Sequence, residues 1–440
     1  MAFTFKRGIH PTESKITEHV PISNQLSLRE NEMVFPLTQH LGAPCQPLVE
    51  VGQKVRIGEK IGDNEAFVCA PIHSSVSGTV KEIRPHLTVG GAMVNSIVIE
   101  NDGEFIEFDN MTPRSNFEDF SKEELLKIIR EAGVVGLGGA GFPTHVKLSP
   151  PPDKHVDTVI INGCECEPYL TTDNRLMIEE SEQLVLGVQI ILKIVETAKG
   201  YIAIEDNKPE AIAALQKACE GVPNVEVVVV KTKYPQGAEK QLINAVTKRE
   251  VPSGGLPADA GCIVNNVDTV VAIHRAVFRG RPLMRKIVTI TGNAIANPGN
   301  YKVRIGTKIN DLAQIAGGFK SAPVKVVVGG PMMGTAIFDL NVPVVKTTGG
   351  VIFMTEEEAY IPPEENCIRC GSCVEHCPIG LIPIELNTDV LRENSENFLK
   401  HNGLECIECG SCSYICPAKR RLSQSIRTVR RVELAKKAKK

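Results

Sequence analysis

Eight cysteines near the carboxyl end of the chain form two runs of identical spacing. Each run reads C-x2-C-x2-C-x3-C and is followed directly by a proline. The first run consists of Cys367, Cys370, Cys373 and Cys377. The second consists of Cys406, Cys409, Cys412 and Cys416. Thiolates at this spacing hold 4Fe–4S clusters, which carry electrons one at a time. The repeat therefore predicts two such clusters.

The spacing also predicts how the eight thiolates are shared between the clusters. In proteins with two such runs, the fourth cysteine of one run ligates the cluster held by the other run. One cluster is expected to take Cys367, Cys370, Cys373 and Cys416. The other is expected to take Cys406, Cys409, Cys412 and Cys377. Zinc is the competing interpretation, but zinc sites use close pairs of ligands rather than two runs of four.

Six further cysteines lie outside the runs, and we interpret them as small buried or loop residues. They are Cys45, Cys69, Cys164, Cys166, Cys219 and Cys262. Cys164 and Cys166 stand out because they lie inside a polar segment that could hold a ligand.

A glycine-rich segment, VVGLGGAGFPTHVKL (134–148), follows a predicted helix. Its glycines, among them Gly138 and Gly139, would let backbone N–H groups approach a phosphate or a flavin ring, and Lys147 would neutralise negative charge. The segment is not a dinucleotide-binding fingerprint, because neither a preceding strand nor an acidic residue at the usual interval is evident. A tight turn without a ligand explains it equally well.

Three polar segments follow predicted strands, where α/β proteins bind ligands. They are INGCECEPYLTTDNRLM (161–177), YPQGAEKQL (234–242) and NNVDTV (265–270). The first contains Asn162, Glu165, Glu167 and Asp173. Each segment alone could be a solvated loop. Together they indicate a ligand site.

The elements that must position these residues form several folding units, because 440 residues exceed what one hydrophobic core organises. Hydrophobic residues at 42% and charged residues at 23% indicate a globular protein that stays in solution. No stretch approaches a membrane span, and the amino terminus lacks a signal core. The cysteine spacing is typical of metal ligands and the chain shows no signal sequence, so the reducing cytoplasm is the expected compartment.

The periodicity changes along the chain. Residues 33–100 read as short strands broken by glycines, similar to the sandwich of biotinyl and lipoyl carriers, but no lysine occupies the hairpin tip at 71–74. A helix with Ser121 as N-cap and Gly133 as stop precedes alternating strands and helices, including one long helix over 175–199. A smaller αβ region resembling a β-grasp begins near 285.

These patterns predict a multidomain protein of α/β and α+β units. Residues 1–115 form a carrier-like β-sandwich, 116–284 an α/β domain, 285–359 a β-grasp domain and 360–425 a ferredoxin-like domain with two clusters. A basic tail follows at 426–440, within a stretch from Lys419 that has ten Lys or Arg residues against one acid, Glu433. This tail is either a solvated helix end or a contact for anionic lipid or an acidic partner. Nucleic acid is not expected.

The segments GLGGAGFPTHVKL, NGCECEP and NNVDTV, together with the paired cysteine runs, resemble the C subunit of the Rnf electron transport complex. More distantly they resemble the flavin-bearing, NADH-oxidising subunit of respiratory complex I. The resemblance covers nearly the whole chain. It implies noncovalent FMN and an NAD(H) site in the α/β domain.

The resemblance also implies which residues contact each group. FMN contacts fall on Gly138, Gly139, Lys147, Asn162, Asn265, Asn266 and Thr269, with Gly237 and Glu239 matching less well. Dinucleotide contacts fall on Phe142 and Glu167, and Glu165 is a further cofactor-site candidate. Cys164 stands where complex I has Asp, and Ala238 stands where it has a second Glu, so the hydrogen bonding there is expected to differ.

The implied function is hydride exchange between NAD(H) and FMN, then single-electron transfer between FMN and the clusters, with no side chain acting as acid or base. The chain would be a peripheral subunit on the cytoplasmic side of the cell membrane. It would serve ferredoxin:NAD+ oxidoreduction coupled to ion translocation, meeting ferredoxin through another subunit. The alternatives are a soluble NADH-dependent reductase or hydrogenase subunit, and a flavin-free electron-relay scaffold.

Overall fold

The computed structural model describes residues 3–24, 31–114, 116–196 and 199–438. The first regular element is strand β1 (Ile22–Ser23). Lys439 and Lys440 of the predicted basic tail lie outside the described residues. Among the helices of the described residues, none is long and apolar enough to cross a membrane.

The amino-terminal unit consists of two antiparallel sheets that enclose one apolar layer. Its strands are β2 (Glu32–Pro36), β3 (Gln46–Pro47), β4 (Lys54–Val55), β5 (Lys60–Asp63), β6 (Ile72–His73), β7 (Gly78–Leu87) and β8 (Met93–Asn101). One sheet has the order β2-β8-β7-β4 and the other β3-β5-β6. Met33, Phe35, Ile61, Ile97 and Ile99 are fully buried between them. The predicted β-sandwich is confirmed.

The second unit is a parallel sheet covered by helices on both faces. Its strands are β9 (Thr158–Gly163), β10 (Lys199–Glu205), β11 (Val225–Val230) and β12 (Cys262–Asn266). Its helices are α1 (Lys122–Glu131), α2 (Thr144–Lys147), α3 (Thr172–Glu179), α4 (Ser181–Val195), α5 (Pro209–Ala218), α6 (Glu239–Thr247) and α7 (Val267–Arg279). The strand order is β11-β10-β9-β12.

Alternation along β9 decides which helices cover each face of this sheet. Val159 and Ile161 belong to the core that includes α4 and α7, whereas Ile160 belongs to the core that includes Leu242 of α6. Successive side chains of a strand point to opposite faces, so an almost continuous apolar run feeds both layers.

The start of α1 is built as the sequence predicts. The Ser121 hydroxyl accepts a hydrogen bond from the Glu124 amide, and the Glu124 carboxylate accepts one from the Ser121 amide. This capping box satisfies two amide groups at the helix start. Gly133 lies just beyond the helix with φ +66°, a conformation that glycine adopts without steric cost.

The single long helix predicted over 175–199 is wrong. Two helices, α3 and α4, meet at Glu180, whose φ of −127° and ψ of 35° interrupt the helical path. The Glu180 carboxylate accepts a hydrogen bond from Arg275 of α7. Apolar periodicity continues across the break, so the sequence pattern did not reveal it. Residues 197–198 of that prediction lie outside the described residues, and Lys199 already belongs to β10.

The third unit is built on a mixed sheet. Its own elements are β13 (Arg285–Thr291), β14 (Gly299–Arg304), α8 (Ile309–Ile315), β15 (Lys325–Val328), β16 (Thr335–Ile337) and β17 (Gly350–Met354). Strand β1 completes the sheet by pairing in parallel with β14, which gives the order β1-β14-β13-β17-β15-β16.

The amino-terminal segment pairs with other units than the sandwich. Besides β1, Phe3 forms a bridge with Val230 and Ile9 forms one with Tyr234, both in the α/β unit. Within the predicted 1–115 domain, this segment therefore contacts two other units before the chain enters the sandwich. The domain boundaries themselves stay a prediction.

The carboxyl-terminal unit is helical around its cysteine loops. A short helix, α9 (Glu356–Ala359), leads into it. The other helices are α10 (Ser372–Glu375), α11 (Pro383–Leu391), α12 (Ser395–Lys400), α13 (Ser411–Tyr414) and α14 (Leu422–Ala438). Helix α14 carries most of the basic tail, and Glu433 accepts a hydrogen bond from Lys436 on it.

The packing of α4 on α7 gives a test of the fold. A Cβ on Gly187 of α4 would lie 2.5 Å from the Val270 carbonyl oxygen of α7. Alanine favours a helix over glycine by about 1 kcal/mol, but overpacking a core costs about 1–3 kcal/mol. We expect Gly187→Ala to lower the thermal unfolding midpoint by several degrees, as measured by calorimetry.

The matched control is Gly90→Ala, because a Cβ on Gly90 in the exposed β7–β8 turn would meet no atom within 4 Å. An unchanged or raised midpoint for Gly187→Ala would contradict the close approach of the two helices.

Candidate functional site

The candidate site lies at the carboxyl ends of β9 and β12. These strands are parallel neighbours, and their register places Asn162 opposite Asn266. Asn162 Nδ2 donates a hydrogen bond of 2.8 Å to the Gly237 carbonyl. Asn266 is the N-cap of α7, and its Oδ1 accepts from the Asp268 amide at 2.9 Å. The structure thus brings together three segments that are far apart in sequence.

The glycine-rich segment folds directly over the start of α7. The Gly136 amide donates to the Phe142 carbonyl at 2.9 Å, which closes the loop, and the Leu137 amide donates to Thr269 Oγ1 at 2.9 Å. A Cβ on Gly138 would lie 2.7 Å from Asn266 Nδ2, whereas one on Gly139 would meet no atom within 4 Å. Only glycine allows the first contact, and Gly139 borders open space.

Lys147 joins this loop to the sheet. Its Nζ donates to the Val264 carbonyl at 2.6 Å and to Glu239 Oε1 at 2.8 Å. Next to Val264 in the chain, Asn265 is buried, and its Nδ2 has no hydrogen-bond partner within the described part of the chain. A buried amide donor without a partner is costly, so this atom is suited to a ligand acceptor.

Glu165 has a local structural role. Its carboxylate accepts hydrogen bonds from the Asp173 amide at 2.7 Å and the Asn174 amide at 3.0 Å, at the start of α3. Thr172 Oγ1 also donates to it at 3.2 Å. A carboxylate at a helix amino terminus satisfies free amides and opposes the helix dipole. The Glu165 carboxylate, predicted as a cofactor contact, therefore has most of its acceptor capacity used by α3.

Glu167 connects the α/β unit with the third unit. Its carboxylate accepts from the Met332 amide at 3.2 Å and the Met333 amide at 2.8 Å. Burial raises the pKa of Glu167 to about 7, although both amide donors act in the opposite direction. The carboxylate therefore changes charge near neutral pH. Phe142 is half-buried in the glycine-rich loop.

Asp173 lies within the candidate site, although no specific role was predicted for it. Its Oδ2 accepts a hydrogen bond of 2.6 Å from Asn266 Nδ2. Burial, followed by the charges of Glu165 and Asp268, raises the pKa of Asp173 to about 8. Burial of Asp173 therefore favours the neutral form of its carboxyl. Its position within a cluster of acids after β9 is the signal that could have identified it.

The cysteine runs come together across the sequence gap. Cys377 of the first run lines one cavity with three cysteines of the second run, Cys406, Cys409 and Cys412. At the other set, burial raises the pKa of Cys373, and the neighbouring thiols of Cys416 and Cys370 raise it further. The observed proximity therefore follows the exchanged pattern rather than the two runs in order. Such groups of thiols match the donor set of 4Fe–4S clusters.

The second cysteine run contacts the α/β unit beside the candidate site. Tyr234 is buried, and its hydroxyl donates to the Cys409 carbonyl at 2.8 Å. Cys166 packs in the same apolar cluster, and its sulfur accepts from the Gly237 amide at 3.4 Å. Gln241 Nε2 donates to the Pro378 carbonyl at 3.3 Å. The loop 234–238, which contacts Asn162 through Gly237, therefore also contacts the carboxyl-terminal unit, the cysteine domain.

The residues fit the groups that the sequence implies. The unpaired Asn265 amide and the open side of Gly139 provide a donor and space at the sheet edge. Asn162 and Asn266 add polar side chains there. Four thiols line one cavity in the cysteine domain, which is the number that a cubane requires.

Comparison with known protein families identifies each unit. Residues 3–104 match the RnfC Barrel sandwich hybrid domain, and residues 129–275 match the Nuo51 FMN-binding domain. Residues 287–336 match the SLBB domain, and residues 366–420 match the 4Fe-4S dicluster domain. The predicted cofactors, FMN and two 4Fe–4S clusters, are thereby confirmed.

Two curated proteins are similar over nearly the whole chain. The C subunit of the proton-translocating ferredoxin:NAD(+) oxidoreductase complex of Clostridium ljungdahlii is 49% identical over 97% of this chain and 93% of its own length. The C subunit of the Na(+)-translocating ferredoxin:NAD(+) oxidoreductase complex of Acetobacterium woodii is 47% identical over 99% of this chain and 98% of its own length.

Among solved structures, a chain of an NAD+-reducing [NiFe]-hydrogenase in the H2-reduced state shares the fold. Its TM-score is 0.51 at 18% identity, over 74% of this chain and 66% of that chain. The full-length similarity to the curated proteins is far stronger. This protein therefore belongs to the RnfC family, the C subunits of Rnf electron transport complexes, and is an electron-transfer component of a larger assembly.

Proposed function

We propose that this chain exchanges hydride between NAD(H) and FMN and passes single electrons between FMN and its two clusters. It does so as a peripheral subunit on the cytoplasmic side of a membrane complex. That complex couples ferredoxin:NAD+ oxidoreduction to ion translocation, and ferredoxin reacts at another subunit. The observation that carries the proposal is the contact between the site at β9 and β12 and the cysteine domain, through Tyr234 and Cys409.

The chemistry is that of the bound groups: a flavin exchanges a hydride with nicotinamide and single electrons with a cluster. The side chains of this chain bind, orient and exclude water. Asp173 accepts a hydrogen bond from Asn266, and its raised pKa favours the neutral form of this carboxyl beside the start of α7. The neutral carboxyl would repel a bound electron-rich ring less than an ionised one would.

The proposed FMN residues share one sheet edge and the loop above it. They are Gly138, Gly139, Lys147, Asn162, Gly237, Glu239, Asn265, Asn266 and Thr269. Thr269 supports the loop through Leu137, and Lys147 fixes Glu239 and the end of β12. Asn265 offers the unpaired donor. These contacts support one continuous binding surface made by β9, β12 and the glycine-rich loop.

The proposed NAD(H) residues are Phe142 and Glu167. An ionised carboxylate has about four acceptor positions, so Glu167 retains capacity for a ribose hydroxyl beyond the two amides of Met332 and Met333. Phe142 follows Gly139 by three residues in the glycine-rich loop, and its half-buried ring could stack on the dinucleotide.

We further propose the exchanged ligand sets. Cys377 joins Cys406, Cys409 and Cys412 around one cluster, and Cys416 joins Cys367, Cys370 and Cys373 around the other. The shared cavity supports the first set. Because the Cys409 carbonyl accepts a hydrogen bond from Tyr234 of the α/β unit, we infer that this cluster is the one that exchanges electrons with the flavin directly.

The function is tested by anaerobic purification followed by cofactor analysis and NADH titration. We expect eight irons and one FMN per chain, following the standard cluster composition, and bleaching of flavin and cluster absorbance by NADH. Lys147→Ala should retain the iron but lose most of its FMN and the bleaching. Lys154→Ala is the control, because that lysine pairs with Asp259 at the surface. Eight irons without flavin in the wild-type protein would leave only an electron relay.

The pKa of Glu167 predicts a pH dependence of dinucleotide use. Below about pH 7 the carboxylate is neutral and is a weaker acceptor, so the KM for NADH should rise as the pH falls from 8 to 6. A hydrogen bond to a charged group is worth about 1.5–3 kcal/mol, which is about ten- to a hundredfold in affinity. With a pKa of about 7, the ionised fraction of Glu167 falls roughly tenfold between pH 8 and pH 6, so the increase in KM should be roughly tenfold. Glu167→Gln should give the high KM at every pH, measured with ferricyanide as acceptor. A wild-type KM that does not change with pH would contradict the assignment.

The exchanged cluster ligation is tested by three serine variants. Cys377→Ser and Cys409→Ser should each remove the same cluster signal from the electron paramagnetic resonance spectrum, whereas Cys370→Ser should remove the other. Flavin should remain in all three. Cys219→Ser, at a half-buried cysteine outside the cavity, should keep both signals. If Cys377→Ser shares its lost signal with Cys370→Ser, the ligand sets are not exchanged.

A further inference from the structure

Three side chains in the amino-terminal sandwich meet at distances typical of metal ligands. Cys45 Sγ lies 3.7 Å from Cys69 Sγ and 3.7 Å from His40 Nε2. Cys69 Sγ lies 3.6 Å from the same His40 Nε2. All three residues are buried. We propose that His40, Cys45 and Cys69 bind one zinc ion, a site separate from the flavin and the clusters.

The distances agree with tetrahedral zinc. Zinc–sulfur bonds of about 2.3 Å and zinc–nitrogen bonds of about 2.0–2.1 Å at tetrahedral angles separate two sulfurs by about 3.8 Å. The same bond lengths separate a sulfur from a nitrogen by about 3.6 Å. The three observed separations lie within about 0.1 Å of these values.

The imidazole of His40 is oriented as a ligand. Its Nδ1 lies 3.0 Å from the Leu41 carbonyl, so with Nδ1 protonated it donates there and Nε2, the nitrogen near the two sulfurs, carries the lone pair. Metal-binding histidines are commonly held by such a hydrogen bond from the other ring nitrogen. The Ala70 amide also donates to Nε2 at 3.2 Å, and this is the contact that the ion would replace.

The charge balance and ligand count favour a borderline-soft divalent cation. Binding releases one proton from each thiol, so two thiolates neutralise the charge of the ion. Thiolate and imidazole together suit zinc. Within the described residues, no fourth His, Cys, Asp or Glu joins the group, so a water would have to complete the tetrahedron.

The position of the site suggests what the ion stabilises. The Leu41 amide donates to the Gly141 carbonyl of the glycine-rich loop at 3.3 Å, and His145 Nε2 lies 3.0 Å from the Phe67 carbonyl. Zinc would tie the segments around residues 40–45 and 69 to each other, and both segments contact that loop. The ion would therefore stabilise the contact between the sandwich and the α/β unit.

The test is metal analysis of the complete chain with its clusters. After anaerobic purification and desalting, mass spectrometry should find one zinc per chain in addition to eight irons, while Cys45→Ser and Cys69→Ser should hold less than a tenth of that zinc with iron unchanged. Cys219→Ser is the matched control and should keep the zinc. The zinc X-ray absorption edge should report two sulfur neighbours.

A second arm uses the wild-type protein, so that misfolded variants do not decide the result. Chelation should remove the zinc and lower the thermal midpoint, and added ZnCl2 should restore one equivalent and the midpoint. The proposal is overturned if the wild-type protein neither contains nor takes up zinc, if copper or iron fills the site, if peptide mapping finds a Cys45–Cys69 disulfide, or if the serine variants retain zinc.

Discussion

The parallel pairing of β9 with β12 is the constraint on which the cofactor site depends. Its register sets Asn162 beside Asn266 at one sheet edge, and both strands end there. Asn266 then caps α7, which fixes Thr269 where it accepts from the Leu137 amide of the glycine-rich loop. A shift by one residue would turn these side chains to the other face of the sheet. One backbone register thus determines the loop, the helix start and the polar edge together.

Buried charges hold the surrounding units in place. Lys15, in the amino-terminal segment, donates to the carbonyls of Glu165 and Glu167 at 2.9 and 3.0 Å. Lys346 of the third unit donates to the carbonyls of Pro71 and Gly133 at 2.6 and 2.7 Å. Burial lowers the pKa of Lys346 to about 8. Buried amines of this kind are tolerated only when their donors are satisfied, so each one fixes the position of the segments that it joins.

Two acidic residues that look alike in sequence satisfy backbone amides in different parts of the fold. Glu165 turns toward α3 and satisfies its amides, whereas Glu167, two residues later, reaches the amides of Met332 and Met333 in another unit. Glu165 has a φ of +45°, which redirects the chain between them. Local spacing could not distinguish these roles, because the partners of Glu167 are 165 and 166 residues away.

The sequence by itself determined the cluster chemistry, the order of units and the grouping of polar segments, because each follows from short-range spacing or periodicity. The capping box at Ser121 was also predicted from spacing, because Glu124 follows three residues later. The break at Glu180, the role of Asp173, and the meeting of His40, Cys45 and Cys69 were decided only by the tertiary structure. A carboxyl's pKa depends on burial, and three ligands separated by up to 29 positions in the chain converge only after two loops of the sandwich pack together.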